Sequence, residues 1–143
     1  MAIKSIDKYQ VDECKFIYLL RNKNYVRQQS LEVHKIKFKH HVNWFKKFLQ
    51  NKNNIIYLII FKKQRVGYIR IEKKIGKFLT SWALVKKFHG KGILSKNLKK
   101  ATMNKKLKYK AIIKKENVAS IRVANKSGFK MSRVLKKIVY FTK

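Results

Sequence analysis

Gly90-Lys91-Gly92 stands at a change of period, and that change limits the fold more than any other feature of the chain. Ahead of it, residues 78–85 form an apolar run of strand length. Behind it, residues 93–103 carry Leu94, Leu98 and Ala101 at helical spacing. A strand that reaches a helix through two glycines makes a tight turn whose successive amides point into one concavity. The helix N-terminus adds partial positive charge there. Such a turn suits a pyrophosphate, and it also suits a plain strand-to-helix connection. The spacing matches neither a Walker loop nor Gly-x-Gly-x-x-Gly.

The remaining pattern predicts a mixed sheet with helices. Asp7 is a candidate cap for a helix through about Leu20, with Phe16, Ile17 and Leu20 inward and Arg21-Asn22-Lys23-Asn24 at its end. Residues 39–50 place Val42, Phe45 and Leu49 on one helical face. Residues 51–54 read as a turn, 55–61 as a buried strand, 62–65 as a hairpin turn and 66–71 as the partner strand. Residues 73–76 turn again. Later, 108–113 is a strand, 119–127 a short helix that Gly128 ends as a left-handed cap, and 129–141 two more strands. The order helix, helix, strands, then β-α-β-α-β indicates an α/β or α+β protein. At 143 residues, 45% hydrophobic and 13% aromatic, the chain reads as one domain, 1–143, with a core of its own.

Several classes fall away. The longest apolar run, residues 55–61, is far short of the ~20 residues that span a membrane. The first seven residues lack the apolar region and cleavage site of a signal peptide. A single cysteine, Cys14, excludes an intrachain disulfide and most cysteine-based zinc sites, and no metal is expected. A soluble cytoplasmic protein is the expectation.

Lys and Arg total 38 against 6 Asp and Glu, a formal charge of +32. Nucleic acid is the first partner such a balance suggests. Two details weigh against it. The lysines are spread from Lys4 to Lys143 without forming a stripe, and they far outnumber arginine. Isoleucine and asparagine are plentiful while proline is absent, so A/T-rich codons are one source of the excess and a selected polyanion-binding role is the other. In either case the field attracts anionic ligands, phosphorylated cofactors among them.

A second segment, Glu116-Asn117-Val118-Ala119-Ser120 followed by Lys126-Ser127-Gly128-Phe129, adds to the glycine turn. Together with Lys87-Phe88-His89-Gly90-Lys91-Gly92 it resembles the acetyl-CoA-dependent N-acetyltransferases of the GNAT superfamily. That family carries Arg/Gln-x-x-Gly-x-Gly/Ala and then Asn-x-x-Ala/Ser, a Lys and Gly-Phe. The resemblance implies the GNAT fold, a mixed central sheet of about six to seven strands flanked by about four helices. It implies acetyl-CoA as donor, bound in a V-shaped opening between the 78–85 and 108–113 strands. Backbone groups of Trp82, Ala83, Leu84 and Val85 would pair with the pantetheine. Amides of His89, Gly90, Lys91, Gly92 and Ile93 would hold the pyrophosphate, with charge from Lys87 and Lys91. Asn117 and Ser120 would line the same side, although Ser120 also suits a small residue packed on a strand.

The N-terminal half is narrower in its likeness. Leu20-Arg21-Asn22, Val26-Arg27, Ser30, Ile36, His41-Val42-Asn43-Trp44-Phe45 and Val66-Gly67-Tyr68-Ile69-Arg70-Ile71 resemble the acetyltransferases that modify the 4-amino group of nucleotide-linked dideoxy sugars in pseudaminic and legionaminic acid-type pathways. Ribosomal-protein N-terminal acetyltransferases share part of the pattern. The implied acceptor is a small molecule, a UDP-linked 4-amino sugar, acetylated directly in a ternary complex. Arg21, Asn22, Arg27, Trp44 and Arg70 would contact it.

The chain departs from many relatives where they place a catalytic glutamate, here near Leu79 and Thr80, and a tyrosine, here Ala124. His41 is the candidate base or substrate ligand, since imidazole titrates near neutrality; it also fits a helix-surface histidine beside Trp44. Trp44 itself suits either stacking on substrate or the core. His34 and His40 read as exposed, and His89 as a neighbour of the phosphates. A basic protein acceptor would need acidic residues, and only Asp7, Asp12, Glu13, Glu32, Glu72 and Glu116 exist. A third reading is a non-catalytic, polyanion-binding domain of the same fold.

Overall fold

The computed structural model describes residues 2–143. Seven strands form one sheet in the order β1-β2-β3-β4-β5-β7-β6. The chain runs β1 (Ala2–Ser5), α1 (Val11–Arg21), α2 (Asn24–Arg27), α3 (Phe38–Gln50), β2 (Ile55–Phe61), β3 (Gln64–Lys74), β4 (Lys77–Leu84), a single 3-10 turn (Lys86–Phe88), α4 (Ile93–Ala101), β5 (Tyr109–Lys114), α5 (Val118–Lys126), β6 (Lys130–Leu135) and β7 (Ile138–Thr142). No helix among the described residues is long and apolar enough to cross a membrane.

The N-terminal segment differs from its sequence reading. Ile6 is buried, and its N–H donates to the Ile56 carbonyl, so the chain enters as a short strand on β2 rather than as a helix. The α1 helix starts after Gln10, with no side-chain cap, and Asp12 and Glu13 sit in the first turn where the helix dipole favours acid. Asp7 is therefore not the cap. The apolar inward face of α1 is Cys14, Ile17 and Leu20, with Cys14 in place of the expected Phe16, which is only partly buried. After Arg21-Asn22-Lys23-Asn24, read as the end of the first helix, residues 24–27 form the extra turn α2. In α3 the buried face is His41, Phe45 and Phe48, one residue round from the Val42 and Leu49 expected.

The central hairpins turn tightly. Lys62 and Lys63, at φ 48° and 64°, link β2 to β3, and Ile75 and Gly76, at φ 46° and 75°, link β3 to β4. Two successive positive φ values match the twist of a two-residue hairpin. The strand β3 therefore begins at Gln64, two residues before the sequence suggests. Apolar side chains fill both faces of the sheet. Ile56, Leu58, Tyr68 and Ala83 pack under α1 and α3 with Cys14, Ile17, Leu20, Phe45 and Phe48. Ile59, Val66, Ile69 and Leu84 pack on the opposite face with Ile93, Leu98, Ala124 and Phe129.

The far edge is β6. It pairs only with β7, all six of its residues are exposed, and its register shifts between Met131 and Arg133. Three ion pairs exist among the described residues, Lys4–Glu13, His34–Glu32 and Lys74–Glu72, so most of the cations have no carboxylate partner.

Candidate active site

The site begins with a gap in the sheet. Strands β4 and β5 run parallel but share only Phe78↔Tyr109 and Leu79↔Lys110 before they part. On the other side β4 stays paired to β3 as far as Gly67↔Leu84. The Phe78 N–H donates to Lys108 O and the Val85 N–H to Val66 O. Backbone direction alternates along a strand, so Thr80, Trp82 and Leu84 turn their backbone groups toward the gap. Ala83 and Val85 turn theirs toward β3. One gap-facing group is already taken, because His89 Nε2 lies 2.8 Å from Leu84 O. A carbonyl only accepts, which makes Nε2 the protonated nitrogen. Of the four residues expected to pair with an extended ligand, Trp82 and the Leu84 N–H remain open.

Gly67, opposite Leu84, has no room for a side chain. A Cβ there would lie 2.5 Å from Ala83 O. Only a glycine allows β3 to approach the end of β4 this closely.

The turn after β4 is wound by Phe88 N–H to Val85 O and His89 N–H to Lys86 O. The His89 amide is thus consumed and drops out of the predicted anion cradle. Gly90 and Gly92 adopt φ 74° and 73°, the left-handed region, and a Cβ on either meets nothing within 4 Å. Gly92 is the N-cap of α4 and carries no side-chain cap. The first bond of that helix runs from the Lys96 N–H to Gly92 O, which leaves the amides of Ile93, Leu94 and Ser95 unpaired within the helix. Lys87 and Lys91 place their ammonium groups 5.1 and 5.7 Å from the Phe88 ring centroid. Tyr25 holds this turn from outside: its hydroxyl accepts the Lys86 N–H, and its ring meets His89 edge-on.

Two cavities open on the gap. One, of about 540 Å³, is lined by Trp82, Ala83, Leu84, Gly90, Gly92, Ile93, Asn117 and Ser120, with Arg122 and Lys126 at the helix α5 side. Lys87, Lys91 and Val85 do not line it. The other, of about 510 Å³, lies on the α1–α3 face and includes Arg21, His41, Trp44, Arg70, Leu79 and Thr80. Val26, Gln29, Ser30, Trp82, Asn117 and Ser120 line both, so the cavities meet there. Asn117 Oδ1 accepts the Ser120 N–H and caps α5. Among the described residues, neither Asn117 Nδ2 nor the Ser120 hydroxyl has a hydrogen-bond partner in the protein.

The N-terminal motif divides into two jobs. Asn22 clamps residue 36 from both ends, with Nδ2 donating to Ile36 O and Oδ1 accepting the Ile36 N–H, each at 2.9 Å. Arg27 donates to Asn22 O, Val33 O and Asn24 Oδ1. These two pin the irregular 28–37 segment, and neither lines a cavity. Both were expected at the substrate, and the structure uses them as staples instead. Arg21 does both. Its Nη2 donates to Glu32 O at 2.8 Å, while its Nη1 is buried without a partner. Arg70 stacks over Trp44, 5.4 Å from the ring centroid.

His41 is buried at 3% exposure, which rules out the helix-surface reading. Its Nε2 donates to Cys14 O at 3.1 Å, and the ring packs among Tyr18, Trp44 and Phe45. Burial, and to a smaller degree Arg21, hold its pKa below the usual value, while the bond to Cys14 opposes them. The imidazole is therefore neutral near pH 7 with Nδ1 as its free lone pair. The sheet floor of this cavity carries Leu79, Thr80 and Ser81 and no carboxylate; Glu32, from the 28–37 segment, is the only acid in the lining. No group of three or more His, Cys, Asp or Glu side chains suited to a metal exists among the described residues. Sequence reasoning missed Tyr25, Gln29 and Arg122, which fall between the motif positions rather than on them.

The family of acetyltransferase (GNAT) domains matches residues 12–130 of the chain. No curated protein matches its sequence. Among solved structures it is similar to a ribosomal-protein alpha-N-acetyltransferase in complex with coenzyme A, at 14% identity and TM-score 0.83, covering 100% of this chain and 94% of that one. An aminoglycoside acetyltransferase in complex with coenzyme A aligns at 13% identity and TM-score 0.79, over 99% and 94% of the two chains. A GNAT-family acetyltransferase from Bacillus anthracis aligns at 17% identity and TM-score 0.77, over 100% and 95%. At these identities the likeness is one of fold.

Proposed function

The chain belongs to the GNAT acetyltransferase family, and on that premise we propose that it moves acetyl from acetyl-CoA to the 4-amino group of a UDP-linked dideoxy amino sugar, in a ternary complex. The observation that carries this reading is the pair of cavities joined at Trp82, Asn117 and Ser120. One has an open strand edge and a turn of free amides, as a pantetheine and a pyrophosphate require. The other holds two arginines and a tryptophan, which suit a nucleotide diphosphate sugar.

When bound, acetyl-CoA supplies the acyl carbonyl and a thiolate leaving group. The chain positions both reactants. Trp82 and the Leu84 N–H align the thioester arm along β4, and the amides before Lys96 hold the diphosphate. The acceptor amine approaches from the α1–α3 side and must be neutral to attack. Nδ1 of His41 takes its proton, a role that its neutral state near pH 7 supports. Asn117 Nδ2 and the Ser120 hydroxyl, free of protein partners, stabilise the departing sulfur where a tyrosine is replaced by Ala124. A thiol of pKa about 8.5 leaves readily even without a strong acid. Positioning supplies much of the rate. The acid-poor lining speaks against a basic protein acceptor, and the reaction fits a cytoplasmic setting.

The test is thiol release from acetyl-CoA with a UDP-4-amino sugar, a basic N-terminal peptide and simple amines as acceptors. Turnover with the sugar nucleotide, lost in Gly90→Asp, is expected. Preference for the peptide, or binding of acetyl-CoA without turnover of any amine, would overturn the acceptor assignment.

A further inference from the structure

We propose that Arg21 is the specificity-determining residue of the acceptor cavity and that its buried Nη1 receives a phosphate oxygen, so that phosphate-bearing amines are selected over unphosphorylated or polycationic ones. This rests on reading the α1–α3 cavity as the acceptor site. Nη1 is the one buried side-chain nitrogen or oxygen without a hydrogen-bond partner among the described residues. Arg21 lines the cavity and buried donors are nearly always paired, so its orphan Nη1 marks where a ligand atom belongs once the guanidinium turns to meet it.

The surroundings say which atom. The same guanidinium is anchored through Nη2 to Glu32 O, which fixes the direction of its fork. No carboxylate forms an ion pair with it, although Glu32 acts on it favourably from a distance. The Glu32 side chain is mostly exposed and lies 3.8 Å from His34, and Arg70 and Arg27 add further positive charge nearby. Histidines 40 and 41 and Tyr68 are the remaining titratable groups of the lining, and β4, β5 and α5 contribute none. A partly desolvated guanidinium without an ion-pair partner favours an oxyanion and penalises a second cation. Arg21 also ties the 28–37 segment through the same group, so acceptor and segment share one anchor.

The experiment compares three acceptors at saturating acetyl-CoA: a UDP-linked 4-amino sugar, the 4-amino sugar 1-phosphate and its methyl glycoside. The proteins are the parent, Arg21→Gln, Arg21→Lys and Arg27→Gln. Arg21→Gln is expected to raise KM for the two phosphorylated acceptors roughly 10- to 100-fold, as loss of a charge-assisted bond implies, with kcat nearly unchanged. The methyl glycoside should lose no more than it loses in Arg27→Gln, since only the shared segment anchor bears on it, and Arg21→Lys should recover part of the phosphate-specific loss. Arg27→Gln loosens the same segment without touching the cavity, and it should affect all three acceptors alike. A uniform effect of Arg21→Gln, or the same phosphate selectivity lost in Arg27→Gln, would overturn the proposal. If the parent acetylates only amines without phosphate, the acceptor reading itself fails, and the result is separable because Arg21 then has no phosphate preference to lose.

Discussion

Replacing Gly92 by alanine tests the glycine turn quantitatively. Gly92 sits at φ 73° and ψ 5°, where an alanine is strained by about 1–2 kcal/mol. An added Cβ would meet nothing within 4 Å, so no clash adds to this and the whole effect is backbone strain. The strain has two places to appear. If the turn keeps its shape, the folded state bears it. Unfolding entropy of about 2.1 cal/mol/K per residue gives roughly 0.3 kcal/mol/K for 143 residues, so Tm falls by about 3–7 °C and affinity is unchanged. If the free protein relaxes the turn to negative φ, Tm hardly moves, and ligand binding must restore the strained form. The Kd for coenzyme A then rises roughly 5- to 30-fold. The two effects should sum to the same 1–2 kcal/mol. Thermal melts and calorimetric titrations with coenzyme A and with acetyl-pantetheine, which lacks the pyrophosphate, measure both. Acetyl-pantetheine affinity should not change. Equal weakening of both ligands, or no change in either Tm or Kd, would refute the assignment of this turn to the diphosphate.

Other outcomes follow from single contacts. Gly67→Ala places a Cβ 2.5 Å from Ala83 O, and that oxygen belongs to the backbone and cannot swing away; β3 and β4 must part, with a loss of about 1–3 kcal/mol visible in denaturant melts. His41 is held neutral in the folded state while the unfolded chain takes up its proton below about pH 6.5, so its contribution is full above that pH and lost as pH falls through it. His41→Gln should flatten the fall in Tm between pH 7.5 and 5.5, and an unchanged slope would exclude His41 as its source. Asn22→Ala removes both partners of Ile36, and hydrogen exchange across residues 28–37 should speed up with a stability loss of about 1–2 kcal/mol.

Much of the architecture was legible because periodicity and turn chemistry are local. The 55–61 strand, the glycine turn and Gly128 as a left-handed cap at φ 94° all appear where their residues place them. The misses have tertiary causes. Strand β1 is four residues long and holds a lysine and a serine, so only its ladder with β2 reveals it. The α3 face is rotated because His41 finds Cys14 O across the helix pair, a partner no window of sequence contains. Motif spacing pointed to Asn22 and Arg27 but could not distinguish contact with a ligand from contact with the protein's own carbonyls. The consumed amide of His89 was equally invisible, since the 3-10 turn that takes it depends on how β4 ends.

The exposed edge at β6 shapes how the protein behaves in bulk. It offers Met131, Val134 and Leu135 to solvent beside Lys130 and Arg133, on a molecule of charge +32. Edge strands pair with copies of themselves unless something prevents it, and here like charge and a register shift do so. The charge acts only across the Debye length, about 30 Å at 0.01 M salt and about 3 Å at 1 M. The protein is thus expected to behave as a charge-stabilised colloid, which light scattering across a salt series checks. Concentrated stocks disperse best in dilute buffer, and high salt, the usual means of stripping nucleic acid from a basic protein, removes the repulsion that keeps these edges apart.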